Sequence, residues 1–244
     1  MKKVIVIIIL IILIVFFVLE NHSVTKEIDT KIFINNGQIK DQMEDEIVIE
    51  NNKKEIDDWK LVLVNFENPL PENFEPELTN IDKNRQFDSR AVDSLLQMLE
   101  DMKKQGYKNI WPQSTYRSVA RQEELFSEKV KMYMNSGKTK EEAEKLTLQK
   151  INKPGTSEHN LGLAVDFNNV DYKFEKTKEY NWLIENADNY GFILRYTREK
   201  KDITKVDYEP WHWRYVGEEN AKEMNELDMC LEEYVIYKDY NKNI

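Results

Sequence analysis

The stretch Ser157-Glu158-His159-Asn160-Leu161-Gly162-Leu163-Ala164-Val165-Asp166 reads as a turn that carries a histidine and runs into a strand that carries an aspartate. It is answered downstream by Glu209-Pro210-Trp211-His212. The chain holds 3 histidines, and two of them, His159 and His212, stand in these segments, while His22 ends an apolar leader. A metal site in the folded part can therefore use at most two imidazoles. Its third protein ligand must be a carboxylate or the single cysteine, Cys230. Two histidines and a carboxylate, with a fourth position left for water, form one of the usual catalytic zinc sets. Asp166 is the natural carboxylate, and Glu209 the natural free base. Cys230 reads more simply as a small packed hydrophobe beside a C-terminal helix.

Working outward, residues 161–167 alternate as a strand does, and Gly162 permits a bend or a close backbone approach. Pro210 rules against a helix through the second segment, so Trp211 to Val216 reads as a buried, aromatic-rich strand. Between them, Thr177 to Tyr190 has helical spacing and Gly191 stops it; Phe192 to Tyr196 returns as a strand. Before the first segment, Asp88 offers an N-cap for a helix over 89–105 with a stripe of Val92, Leu95, Leu96, Leu99 and Met102. Asn109 to Thr115 follows as a strand, and Ser118 caps a helix carrying Ala120, Leu125, Phe126 and Val130. Thr139 and Glu142 form a capping box for another helix. Leu61 to Asn65 reads as an opening strand, closed by Asn68-Pro69-Leu70-Pro71. Ala221, Met224 and Leu227 mark a C-terminal helix. This order predicts an α+β fold: a single compact domain over 58–240, with a small, mostly antiparallel sheet packed by helices.

The remaining chain is of another kind. Val4 to Leu19 is an unbroken apolar run behind Lys2 and Lys3. Its length is close to the roughly 20 residues that span a bilayer, so a cleaved leader and a membrane anchor are the two readings. No small-residue cleavage pattern and no lipidation cysteine follows, which favours an uncleaved signal anchor over 1–20. The two lysines then stay in the cytoplasm and the domain lies outside, joined by a charged tether over 21–57 in which only Ile47 to Ile49 suggests a strand. A net charge of -10 argues against nucleic acid as a partner. One cysteine allows no internal disulfide.

The chemistry follows from the two segments. With His159, Asp166 and His212 around one point, Glu209 can take a proton from water whose pKa the metal lowers to about 7. Trp211 and Trp213 flank His212, and an unpaired imidazole in such a setting is costly. Arg117 ends the strand before Ser118. A guanidinium there can hold a developing oxyanion or a terminal carboxylate, and it can equally be a surface ion-pair partner.

Tyr116-Arg117-Ser118, the Ser157-x-His159-x-x-Gly162-x-Ala164-x-Asp166 pattern and Glu209-Pro210-Trp211-His212 together resemble the VanY-type D-alanyl-D-alanine carboxypeptidases, zinc peptidases of bacterial cell-wall metabolism. Asn68 to Pro71, Gly191-Phe192-Ile193-Leu194-Arg195-Tyr196 and Leu231-Glu232-Glu233-Tyr234 are similar to the same family, so the resemblance covers about Leu61 to Tyr237. It implies Zn2+ held by His159, Asp166 and His212, with Glu209 as catalytic base and Arg117 against the substrate. It also implies Ser157 and Gln122 as pocket residues, and variability over Phe126 to Lys153. The expected substrate is a peptidoglycan stem peptide ending in D-Ala-D-Ala, met by a membrane-tethered, extracytoplasmic enzyme. An L,D-carboxypeptidase, a D,D-dipeptidase or a wall endopeptidase would share the fold, and a non-catalytic zinc-stabilised binding module is the distant rival. The oligomeric state is not encoded legibly.

Overall fold

In the computed structural model, residues 58–71 and 73–242 are described, and among them no helix is long and apolar enough to cross a membrane. The apolar run at 4–19 and the tether lie outside the described residues. The elements in chain order are β1 (Leu78–Asn80), β2 (Gln86–Asp88), α1 (Val92–Lys104), β3 (Pro112–Ser114), α2 (Val119–Asn135), α3 (Lys140–Leu148), β4 (Ala164–Phe167), α4 (Lys178–Asn186), β5 (Phe192–Leu194), α5 (Lys201–Thr204), β6 (His212–Tyr215), α6 (Glu218–Glu226) and α7 (Leu231–Lys242). Among the described residues two sheets form, a β1-β2 pair and a four-stranded sheet in the order β3-β4-β6-β5, and every pairing is antiparallel. The α+β reading holds.

Strand alternation divides the main sheet into two chemically different faces. Val165 and Phe167 on β4, Phe192 on β5, and Trp213 and Tyr215 on β6 enter the main core with Leu95, Met98 and Met102 of α1 and Leu183 of α4. The alternate positions face the other way. There Asp166 pairs in register with His212, and Ala164 with Arg214. Ile193, beside Arg214 on β5, belongs to a second cluster with Val216, Met224, Leu231 and Tyr234 of the C-terminal segment. One face of the sheet is therefore oil, and the other carries charge.

Several local expectations give way to tertiary contacts. Leu61 to Asn65 is not a strand: Trp59–Leu61 is a 3-10 turn capped by Asp58, and the segment continues as a loop. Its backbone is used differently, because the Arg214 Nη2 donates to the carbonyls of Lys60 and Val62 at 2.9 Å each. Asp88 does not cap α1. It ends β2, and its carboxylate accepts from the Arg90 backbone and guanidinium. Leu96 is exposed, and Met98 takes its place inside. The expected helix over 177–190 is α4 followed by a 3-10 turn, Ala187–Tyr190. The C-terminal helix is two, α6 and α7. The short β1-β2 pair had no counterpart in the sequence reading.

Two glycines are fixed by geometry. Gly162 has φ +78° where its carbonyl accepts from the Asp88 backbone at 2.9 Å. Gly191, at φ +80°, would place a Cβ 2.8 Å from the Gly217 backbone. Gly191→Ala is thus expected to combine left-handed strain with overpacking and to destabilise the fold by about 2–4 kcal/mol. Thermal unfolding of the purified variant checks this; a melting temperature equal to wild type would contradict it.

Candidate active site

His159 lies on a single 3-10 turn, Glu158–Leu161, that ends at Gly162 in the left-handed region; Asp166 is on β4 and His212 begins β6. The antiparallel register sets Asp166 opposite His212, and the tight turn swings His159 back over the strand it precedes. His159 Nε2 is 3.1 Å from Asp166 Oδ2, and His212 Nδ1 is 3.0 Å from Asp166 Oδ1. All three residues are buried, and their ligand atoms lie within 4.8 Å of one another.

The outer nitrogens decide what the inner ones can do. His159 Nδ1 is 2.7 Å from the Thr115 carbonyl, which can only accept, so that nitrogen carries the proton. His212 Nε2 lies 3.3 Å from Glu158 Oε2, and the same logic gives it the other proton. In the neutral tautomers both inner nitrogens then present lone pairs toward a carboxylate. Three electron-rich groups facing one point need a cation among them, and two imidazoles plus a carboxylate suit a divalent metal such as zinc. The residues present fit such an ion.

Electrostatics support that reading. Burial alone would raise Asp166, but His159 and His212 hold its carboxyl well below the usual range. Burial would lower His212, yet Asp166 and Glu158 push it up to about 9. Burial lowers His159. A dication occupying the same negative field competes for those sites with protons.

Glu209 stands just before β6, with Oε2 3.8 Å from His212 Nδ1. Burial pushes its carboxyl up to about 7, against the pull of His212. A carboxylate poised there is suited to exchanging protons near neutrality. Arg117 is anchored from three sides. Its Nη1 donates to Gln122 Oε1 at 2.8 Å, its Nη2 to Ser114 Oγ at 2.9 Å, and its backbone N–H to the His159 carbonyl at 3.0 Å. Gln122 in turn donates to the Asn152 carbonyl at 2.6 Å. Ser118 caps α2 directly behind. One groove of about 870 Å³ is lined by Arg117, Gln122, Ser157, His159, Asp166, Glu209 and His212, so every site residue expected from the sequence meets there. Cys230, the other conceivable third ligand, lines a different cavity beside α6, and burial raises its thiol to about 11.

The sequence reading passed over Glu158. Its carboxylate is fully buried and accepts from Arg195 Nε at 2.7 Å and Arg214 Nη1 at 3.0 Å while its other oxygen faces His212. Burial would raise it, but the two guanidiniums hold it well below the ordinary carboxylate range. Arg195 is also gripped by both oxygens of Glu232 on α7, at 2.7 and 2.8 Å. Tyr196 packs on the His212 ring at a 5.0 Å centroid distance. The available signal was an acid inside the histidine motif with two arginines in aromatic strands, a pattern that fits a buried ion network.

Comparison with known proteins agrees with this geometry. The profile of the VanY family, described as D-alanyl-D-alanine carboxypeptidase, matches residues 84–218. A D-alanyl-D-alanine carboxypeptidase of Enterococcus faecalis (strain ATCC 700802 / V583) is 38% identical over 180 residues, which is 73% of this chain and 66% of that protein. The chain thus spans just under two thirds of that relative. Among solved structures, a variant of the vancomycin resistance D,D-pentapeptidase VanY from a VanB-type cassette, in complex with Zn(II), superimposes with a TM-score of 0.64 at 39% identity. That match covers 73% of this chain and 99% of the other. The LD-carboxypeptidase LdcB aligns with a TM-score of 0.62 at 36% identity, over 71% of this chain and 84% of its own.

Proposed function

We propose, because the chain belongs to the VanY family of D-alanyl-D-alanine carboxypeptidases, that it is a zinc-dependent carboxypeptidase removing the terminal D-alanine from peptidoglycan stem peptides. The observation that carries this is the buried cluster of His159, Asp166 and His212, their ligand atoms within 4.8 Å of one another, with Glu209 beside it in an open groove.

His159, Asp166 and His212 would hold a zinc ion, which would supply Lewis acidity and lower the pKa of water to about 7. Glu209 takes the proton of the attacking water and returns it to the departing amine. Arg117, locked by Gln122 and Ser114, keeps its charge aimed into the groove, where it holds the developing oxyanion or the terminal carboxylate. Gln122 acts by fixing Arg117. Ser157, buried at the groove wall, lies against the substrate end.

The test is to load the purified chain with one equivalent of zinc and to incubate it separately with a stem pentapeptide ending in D-Ala-D-Ala and with the tetrapeptide lacking the last residue, following both by mass spectrometry. Loss of one alanine from the pentapeptide alone is expected. Cleavage of the tetrapeptide instead would move the specificity to the L,D reading, which the likeness to LdcB favours as the second choice. Loss of an intact dipeptide would mark a D,D-dipeptidase.

The apolar run Val4 to Leu19 behind Lys2 and Lys3 serves in this reading as an uncleaved membrane anchor, with 21–57 as tether and the domain outside the cell. The intact chain should then stay with membranes through an alkaline carbonate wash and be open to protease added outside. Release by the wash would sink the anchor.

A further inference from the structure

We infer that the groove selects acidic stem peptides, those carrying a free side carboxylate in addition to the terminal one; this rests on the peptidase reading above. The charge of the groove runs against the charge of the chain. In a protein of net charge -10, the groove is lined by Arg117 and five lysines against only three carboxylates, Asp166, Asp207 and Glu209. Of those three, Asp166 belongs to the compact cluster of ligand atoms, Asp207 is taken by Lys201 at 2.7 Å, and Glu209 stands 3.8 Å from His212. Lys145, Lys150 and Lys153 form no ion pair among the described residues. Yet Lys150 lies close enough to act electrostatically on both Asp207 and Glu209.

These lysines stand on a built wall. Lys145 is in the last turn of α3, and the chain beyond it is pinned by the Gln122 side chain on the Asn152 carbonyl, by the Lys150 N–H on the Thr147 carbonyl, and by the Thr156 N–H on the Lys153 carbonyl. The same pin, Gln122, holds Arg117, so the lysine wall and the substrate arginine share one support. Lys205, which lines the same groove, is held at φ +59°, a conformation that side-chain-bearing residues seldom adopt.

Apolar side chains complete the surface. Phe66, Leu148 and Val170 are 55%, 42% and 55% exposed, and all three line this groove. Exposed lysines interleaved with exposed apolar groups match a peptide that alternates short aliphatic side chains with carboxylates. One terminal carboxylate does not require Arg117 and five lysines together. A peptide carrying an ammonium group as its only extra charge would be repelled.

The experiment compares two pentapeptides that end in D-Ala-D-Ala, carry one internal glutamate, and differ only in having that glutamate's carboxylate free or amidated. KM and kcat are measured on the zinc-loaded chain, and binding to Glu209→Ala is measured by calorimetry. At low salt the free carboxylate should lower KM about three- to tenfold with little change in kcat. The preference should fade at 0.5 M salt and in the combined Lys145→Gln, Lys150→Gln, Lys153→Gln variant. Equal KM and equal affinity for the two peptides, or a preference that survives both salt and the triple variant, would overturn the inference while leaving the peptidase reading intact. Tighter binding of the free acid with neither peptide cleaved would uphold the inference and remove the peptidase reading.

Discussion

Glu209→Ala should bind zinc as wild type does and hydrolyse the pentapeptide at a rate lower by about 10³ or more, since general base catalysis contributes typically 10²–10⁴ and this residue is asked to serve both proton transfers. The separation of the two properties is built into the site. Glu209 Oε2 is 3.8 Å from His212 Nδ1, whereas the compact cluster of ligand atoms contains His159, Asp166 and His212 without it. Removing the side chain leaves the three ligands and their outer partners, Thr115 and Glu158, untouched. Metal content by mass spectrometry and single-turnover hydrolysis are the two readouts. Hydrolysis at the wild-type rate would refute the base assignment, and loss of metal would make Glu209 a ligand. The pH profile adds a second check. Burial raises the Glu209 carboxyl to about 7, and a dication beside it draws that value back down. The base works only when ionised, so kcat/KM should fall toward acid with a limb at or below about pH 7, and that limb should vanish from the residual activity of the variant.

Glu158→Gln should cost more than any other change outside the groove. The side chain is fully buried and offers one oxygen to Arg195 and Arg214 and the other to His212. Neutralising it leaves two guanidiniums in the interior. Arg195 still has Glu232, but Arg214 keeps only backbone carbonyls as partners. Breaking one partner of a buried ion network typically costs about 3–5 kcal/mol of stability. Zinc affinity should fall about 10–100-fold as well, because the carboxylate that receives the outer His212 proton is what fixes the ring with its inner nitrogen free. Chemical denaturation gives the first quantity and competition with a chelator the second. Glu232→Gln is the control: it touches Arg195 but not His212, so it should lose stability with a smaller effect on zinc. Wild-type zinc affinity in Glu158→Gln would show that Glu158 serves the fold alone.

The contrast between these two residues shows what kind of information each level holds. Glu209 was legible because its chemistry is written within its own segment: an acid three residues before a histidine, with a proline excluding a helix between them. His159, Asp166 and His212 were legible on the same ground, since their residue types limit the ligand set before any contact is known, whereas Arg117 was singled out by the family resemblance, its residue type alone fitting a surface ion pair equally well. The helices announced themselves through local spacing and caps, Thr139 with Glu142 being realised in full. Glu158 sits in the same motif and was passed over, because its meaning depends on Arg195, Arg214 and Glu232, brought in by β5, β6 and α7. Leu61 to Asn65 failed for a related reason. Its continuous apolar run suited a strand, but a buried guanidinium on β6 claims backbone carbonyls of this segment.

The sequence by itself determined the inventory: which side chains can ligate, which can carry a proton, roughly where the main helices lie, and that the sheet is small and mostly antiparallel. Only the tertiary structure decided the pairing of Asp166 with His212, the face on which charge is gathered, and the outer partners that fix each histidine's tautomer. The division has a physical cause. Residue chemistry and local spacing act over a few positions of chain, whereas register and buried ion pairing are set by competition among groups far apart in sequence, and are settled only when the whole core closes around them.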